Sequence, residues 1–396
     1  MKDGTLNPVD RLKRQVTDVI QSRGTDRVCL AALLRILAVP YEIGVRLRAW
    51  YYRHRRSSDR QLACRVVSIG NLSAGGTGKT PLCIYLARVL HDAGYRVAIL
   101  SRGYRSVAES AGTLIEPALA SASDADLAGD EPVLMARLLQ PRAIPVYTGR
   151  DRLASGRKAL ARFKPDVILM DDGFQHQRLA RDIDVVLLDG EKPLGNGHLL
   201  PRGPLREPPS ALERADILVL TRCPSTPDGT LSVDGGRQLH AAWPGLVAKP
   251  LFGCRHRPVG RERLDNPSTE GSRSAPLNLE MLRQMLVLAF SGIARNDTFR
   301  QTLVDLGADL RGWFAFDDHY RYRAGDLQSL TREGRRAGAR VLVTTDKDRV
   351  RIEDDWIKEL PLWVIGVSLD FAQDRAAFER HVFAILGMNN PREERL

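Results

Sequence analysis

The segment Ser73-Ala74-Gly75-Gly76-Thr77-Gly78-Lys79-Thr80 constrains this chain more than any other. It follows a short apolar run, Val66-Val67-Ser68-Ile69, and precedes a helical stretch from Pro81 to Ala93. A strand that passes through a glycine-rich turn into a helix opening on Lys-Thr is the context of a Walker A phosphate loop. Gly75, Gly76 and Gly78 carry no Cβ to keep backbone N–H groups away from phosphate oxygens. The positive end of the following helix adds to the attraction. In that frame Lys79 reaches the β- and γ-phosphates and the Thr80 hydroxyl ligates Mg²⁺. Ser73 stands where the G-x-x-x-x-G-K-[ST] pattern has its first glycine; the rest of the pattern is intact. Ser73, Ala74, Gly75, Gly76, Thr77, Gly78, Lys79 and Thr80 are the candidate nucleotide-binding residues, and the expected ligand is a nucleoside triphosphate.

A second apolar run, Val167 to Met170, leads directly into Asp171-Asp172-Gly173-Phe174-Gln175-His176. A carboxylate at the end of a strand beside a phosphate loop is the Walker B arrangement, which holds Mg²⁺ directly or through water. Asp171 and Asp172 are both candidates, because consecutive residues of a continuing strand point to opposite faces. Between the two motifs stands Gly129-Asp130-Glu131-Pro132, ahead of an apolar helical stretch. Asp130 has two readings there. It can cap the helix, with Pro132 in the first turn. It can also accept the hydroxyl proton that a phosphoryl acceptor alcohol must lose.

Strand and helix patterns alternate through the rest of the chain: strands near 97–100, 167–170, 185–188, 217–220, 285–290, 341–344 and 362–367, with a helix near 131–139. That alternation predicts an α/β fold with a P-loop NTPase-like, mostly parallel sheet flanked by helices. A length of 396 residues allows about two or three domains. Between Cys223 and Asn278 the composition turns rich in Pro, Gly and Ser. The expected divisions are an N-terminal helical segment at 1–62, a P-loop core at 63–222, a linker or insertion at 223–280 and a smaller α/β domain at 281–396. Five scattered cysteines without a C-x-x-C spacing argue against a disulfide scaffold or zinc site and for a reducing compartment.

The first thirty residues are polar and mixed in charge, with no apolar core of a secretory signal. From Leu30 to Tyr52, Leu30, Leu33, Leu34, Leu37, Tyr41, Val45, Ala49 and Tyr52 recur at helical spacing. Arg35, Glu42, Arg46, Arg53 and Arg56 gather on another face. A bilayer span needs about 20 largely uncharged residues; Arg35, Glu42, Arg46 and Arg48 interrupt this one, and Pro40 is expected to break it. The expectation is an amphipathic helix pair, either packed on its own domain or lying in a lipid headgroup layer beside Arg53-His54-Arg55-Arg56. A formal net charge of +11, with Arg supplying 50 of 59 positive residues, suits an anionic partner or a merely solvated surface.

Taken together these motifs resemble the tetraacyldisaccharide 4′-kinase family, the lipid A 4′-kinases of Gram-negative-type bacteria. The resemblance is carried by Ser68-Ile69-Gly70-Asn71-Leu72 running into the phosphate loop, then Ser101-Arg102-Gly103-Tyr104 and Gly129-Asp130-Glu131-Pro132. Asp171 to His176, Arg178-Leu179, Arg181-Asp182, Gly195-Asn196-Gly197, Leu199-Leu200-Pro201 and Gly203 to Pro208 follow in order. Weaker echoes are Ala289 to Ile293, Phe316-Asp317-Asp318-His319-Tyr320 and Thr344 to Asp348. Ala294-Arg295-Asn296 and Asp346 depart from the expected pattern, and the stretches before Thr25 and around 263–274 are longer than usual.

The resemblance implies transfer of the ATP γ-phosphate, with Mg²⁺, to the 4′-hydroxyl of a tetraacylated glucosamine disaccharide 1-phosphate. It implies a peripheral or monotopic protein at the cytoplasmic face of the inner membrane, with no nucleic-acid ligand and no obligate protein partner. It makes Asp130 the base, coupled to His319, with Lys79 assisting; Thr80, Asp171 and Asp172 the metal ligands; and Arg150, Arg152, Arg206, Glu207 and Tyr104 the acceptor-binding residues. Because His319 lies far from Asp130 in sequence, their pairing is expected to need closure of the second domain onto the first. Two other classes compete. A switch or partition NTPase shares the phosphate loop, but Asp346 interrupts the base-reading pattern that Thr345-Asp346-Lys347-Asp348 imitates. A nucleic-acid-dependent ATPase rests on charge alone, with 6% aromatic residues and no stacking module.

Overall fold

The computed structural model describes residues 28–54, 58–103, 113–115, 122–264 and 275–390. Tyr104, Arg55, Arg56, residues 1–27, most of the 263–274 insertion and the tail from Pro391 lie outside the described residues. The strands are β1 (Arg65–Asn71), β2 (Val97–Ser101), β3 (Leu114–Ile115), β4 (Val146–Thr148), β5 (Val167–Asp171), β6 (Ile183–Asp189), β7 (Ile217–Thr221), β8 (Leu251–Gly253), β9 (Arg255–Leu264), β10 (Leu286–Ser291), β11 (Asp309–Ala315), β12 (Val341–Thr345) and β13 (Leu362–Asp370). The α-helices are α1 (Val28–His54), α2 (Lys79–Asp92), α3 (Ala122–Ala128), α4 (Asp130–Leu139), α5 (Arg152–Phe163), α6 (Asp234–Ala242), α7 (Asn296–Asp305), α8 (Ala324–Arg336), α9 (Asp346–Arg349) and α10 (Arg375–Leu386). The class is α/β, with mostly parallel strands and flanking helices, as the alternation of patterns predicts.

Two compact units emerge, and each is threaded by separate pieces of chain. The first comprises Met1–Lys79, Pro165–Arg255 and Asp370–Leu396; the second comprises Thr80–Lys164 and His256–Leu369. In the first, β5, β1, β6, β7 and β8 lie side by side, all parallel, with Ile69 opposite Asp171 and Val185 opposite Ile217. Strands β5, β6 and β7 are near-continuous aliphatic runs because both faces of an inner parallel strand are covered. Leu72, Phe174, Val186, Leu188, Leu218 and Leu220 form one core there. Parallel direction puts the ends of β1, β5, β6 and β7 on one edge, the edge where open α/β sheets bind ligands. The 223–280 stretch, read from composition as an interruption, contains α6, β8 and β9.

Helix α1 runs unbroken through Pro40, where a break was expected. A proline in a helix interior costs about 3 kcal/mol, and tertiary anchors along α1 oppose that cost. Leu34 is buried, Tyr41 Oη donates to the Arg206 carbonyl at 2.9 Å, and Arg48 Nη2 donates to the Gln175 carbonyl at 3.0 Å. Leu30, Tyr41, Val45, Ala49 and Tyr52 are half-buried as the periodicity predicts, but Leu33 and Leu37, expected on the same face, point to solvent.

In the second unit β4 lies between β2, which it meets in parallel, and β3, which it meets antiparallel. A five-stranded sheet follows the order β11-β10-β12-β13-β9. Period-two alternation divides its side chains into two cores. Leu288, Phe290, Leu342, Leu362 and Val364 pack with Leu327 and Leu330 of α8 on one face. Val287, Ala289, Val341, Val343, Trp363 and Ile365 pack with Phe299 and Leu303 of α7 on the other. The C-terminal helix α10 belongs to the first unit, so 281–396 is not one continuous body.

Candidate active site

At the end of β1 the chain turns through the phosphate loop. Asn71 organises it: Nδ2 donates to the Ser73 carbonyl at 2.5 Å, and Oδ1 accepts from Lys79 Nζ at 3.2 Å. Ala74 N–H donates to the Pro204 carbonyl at 2.6 Å. Gly75 and Gly78 adopt φ values of 128° and 90°, which L side chains rarely reach. A Cβ placed on Gly75 or Gly76 meets nothing within 4 Å among the described residues, so the loop frames open space of the kind phosphate oxygens occupy. Thr77 and Thr80 are buried, and α2 begins at Lys79, directing its first N–H groups at the loop.

The acid pair separates as soon as β5 ends. Asp171 is the last strand residue and is buried; Asp172 takes φ 50° and turns its carboxylate toward the loop lysine. Lys79 Nζ lies 3.5 Å from Asp172 Oδ1, and Arg206 Nη1 donates to both carboxylate oxygens at 3.0 and 2.9 Å. Burial pushes the Asp172 carboxyl up, but Lys79 and Arg206 outweigh it and hold the group below its ordinary value. Arg206 is thus engaged with Asp172, while Glu207 is buried with Oε2 2.9 Å from Arg214 Nη2. Glu207, expected to bind the acceptor, is thus set against an arginine.

In the second unit Asp130 opens α4. Gly129 takes the cap position at φ 92°, and no side chain caps the helix, so the capping reading of Asp130 does not hold. The carboxylate is used otherwise. His319 Nδ1 lies 2.8 Å from Asp130 Oδ2, and Arg351 Nε donates to Asp130 Oδ1 at 2.7 Å, with its Nη2 against Oδ2. Asp130 is largely buried and His319 half-exposed. His319 sits in the left-handed region at φ 66°, its N–H donating to the Gly292 carbonyl at 3.0 Å. Buried Asp348 holds that same glycine by accepting from its N–H at 2.9 Å, and also accepts from Tyr322 Oη at 3.1 Å and Thr345 Oγ1 at 2.6 Å. Asp130 and His319 therefore meet inside one compact unit. The domain closure expected from their sequence separation is not what joins them, because a returning β-sheet brings 189 residues of separation to hydrogen-bond distance.

A sequence profile described as tetraacyldisaccharide-1-P 4′-kinase matches residues 30–386. The chain belongs to that family. It is 40% identical over 365 residues to the tetraacyldisaccharide 4′-kinase of Syntrophus aciditrophicus (strain SB), covering 91% of this chain and 94% of the relative. It is 39% identical over 327 residues to the corresponding Geobacter metallireducens protein, covering 83% and 90%. Its structure resembles that of LpxK from Aquifex aeolicus in complex with ATP, at 28% identity and a TM-score of 0.66, covering 90% of this chain and 99% of that one.

In this member of the 4′-kinase family the two remaining acceptor candidates flank the start of α5. Arg150 is exposed; Arg152 is buried, with Nη1 donating to the Arg150 carbonyl at 3.2 Å behind the helix cap Asp151. Sequence reasoning missed three side chains. Arg222, at φ 59° after β7, pairs with Asp189 and donates to the carbonyl of Gly76 in the phosphate loop. Asp348 and Arg351 lie in and just beyond the Thr344–Asp348 echo, and only their partners across the fold distinguish them from surface charges. The Asn71 role carried a signal, since Asn71 stands within the family motif.

Proposed function

We propose that this protein transfers the γ-phosphate of ATP to the 4′-hydroxyl of tetraacyldisaccharide 1-phosphate at the cytoplasmic face of the bacterial inner membrane. The observation that carries the reading is the 2.8 Å pair of Asp130 and His319. A phosphate loop serves switch NTPases as well as kinases, whereas a carboxylate coupled to an imidazole is what an alcohol acceptor requires. Asp130 takes the hydroxyl proton as the acceptor oxygen bonds to the γ-phosphorus and the bridging P–O bond to ADP breaks. His319 orients the carboxylate and shares the charge that the proton brings. Lys79 holds the transferring phosphate, and Arg206 and Asp172 set the position of that lysine.

The Thr80 hydroxyl and the carboxylates of Asp171 and Asp172 are hard oxygen donors, the set that fits Mg²⁺ shared with nucleotide phosphates. When bound, the ion neutralises phosphate charge. Exposed Arg150 suits the acceptor 1-phosphate, which a guanidinium grips bidentately, with buried Arg152 bonded to its main-chain carbonyl behind it.

Helix α1 supports the membrane assignment. Leu33, Ile36, Leu37, Ile43, Leu47 and Trp50 form one stripe at helical spacing, and each is at least half exposed. No helix among the described residues is long and apolar enough to cross a membrane. An apolar stripe opposite a packed face, with Arg46 and Arg53 beside it, suits a helix lying in the headgroup layer. The test is incubation with γ-labelled ATP and tetraacyldisaccharide 1-phosphate in detergent micelles. Label is expected in the lipid; label released only as inorganic phosphate contradicts the reading.

A further inference from the structure

We infer that Arg351 is a positioning residue for phosphoryl transfer: it fixes the Asp130 carboxylate and the His319 imidazole as one unit. The inference deepens the proposed reaction and rests on Asp130 acting as its base. Arg351 engages both carboxylate oxygens of Asp130, through Nε at 2.7 Å and through Nη2. Its Nη1 donates to the Tyr320 carbonyl at 3.0 Å, and Nη2 lies 3.0 Å from His319 Nδ1. A single planar fork thus reaches the base, its imidazole partner and the backbone that follows that partner. A fork of this kind holds a carboxylate in a plane as well as ionised.

Burial makes the contact consequential. The side chains of Arg351 and Asp130 are 12% and 13% exposed, so neither charge has much water to replace the other. Without the guanidinium, the imidazole is the one side-chain partner left to the Asp130 carboxylate among the described residues, rotation about χ2 is less restrained, and the His319 loop loses the Arg351 bond to the Tyr320 carbonyl. All three Arg351 guanidinium nitrogens contact this cluster, so its effect on the reaction passes through Asp130 and His319.

The experiment uses the full chain with ATP and tetraacyldisaccharide 1-phosphate in micelles. Arg351→Gln is expected to lower kcat by about 10²-fold, the scale of lost general-base positioning, while leaving KM for ATP within about twofold. Arg351→Lys, which keeps a cation at the carboxylate, is expected to recover kcat to within about tenfold of the parent. In an Asp130→Asn background, adding Arg351→Gln is expected to change kcat by less than about twofold, because the residue it positions is already gone. That comparison also serves if Arg351→Gln alone is too unstable to assay, since Asp130→Asn removes the buried carboxylate that the lost guanidinium would leave uncompensated. A kcat for Arg351→Gln near the parent value, a Lys variant as slow as Gln, or a further tenfold loss in the double variant overturns the inference. If Asp130→Asn itself turns over normally, the base assignment has failed instead, which separates the two.

Discussion

Tyr41 Oη donates to the main-chain carbonyl of Arg206, 165 residues away, at 2.9 Å. The same Arg206 grips Asp172 through its side chain, and Asp172 faces Lys79. One helical tyrosine is therefore three contacts from the phosphate-loop lysine. Tyr41→Phe removes a partly buried hydrogen bond of about 1 kcal/mol. A matching loss in urea denaturation, with kcat in micelles lowered severalfold and the protein still folded, is expected. An unchanged kcat would disconnect α1 from the site.

Gly70 lies in β1 directly beneath the turn that carries Asp172. A Cβ added there falls 2.5 Å from Phe174 Cβ and 2.7 Å from Phe174 N, closer than packed atoms come. Gly70→Ala is expected to destabilise by about 1–3 kcal/mol and to weaken ATP binding by displacing the Asp172 turn. Melting temperature and nucleotide titration measure both.

Asp172 sets a sign for pH dependence. Its carboxyl is held below the ordinary 3.8, so its ion pairs contribute stability that is present above 3.8 and lost as pH falls through the lowered value. The stability gap between the parent and Asp172→Asn is expected to stay level from neutral pH to about 5 and to narrow under more acid conditions. Denaturation midpoints across that range decide it.

Asp348 has the opposite sign. Burial pushes its carboxyl up to about 6, against the hydrogen bonds of Thr345, Gly292 and Tyr322. Folding therefore favours the protonated form, and that contribution is complete below 3.8 and lost as pH rises through about 6. Asp348→Asn is expected to flatten the stability profile between those values. Because Gly292 carries the bond to His319, the same variant is expected to lower kcat even at a pH where it remains folded.

The exposed stripe of α1 predicts a graded membrane response. Ile43→Asp with Leu47→Glu places two charges on a face that is 53% and 60% exposed at those positions, where little packing is lost. Sedimentation with anionic phospholipid vesicles is expected to fall at least about tenfold while melting temperature is unchanged, since burying apolar chains in lipid drives such binding. Equal sedimentation removes α1 from the interface.

The phosphate loop, the β5 carboxylates and the parallel strands were legible in the sequence because each rests on neighbours in the chain. Gly75 to Thr80 must curl after β1 whatever surrounds them, and an aliphatic run such as Ile217–Thr221 can serve only as a covered strand. The side of α1 that faces water was not legible, because aliphatic residues at 100° steps cover both sides of that helix and packing on Arg206 and Gln175 chose one. Nor was the service of Arg351. Hydrogen bonds have no memory of chain separation, so which charge among fifty arginines meets Asp130 depends on how β10, β12 and the His319 loop return to α4. Local geometry wrote the nucleotide cradle into the sequence; only the folded sheet brought together the carboxylate, the imidazole and the guanidinium.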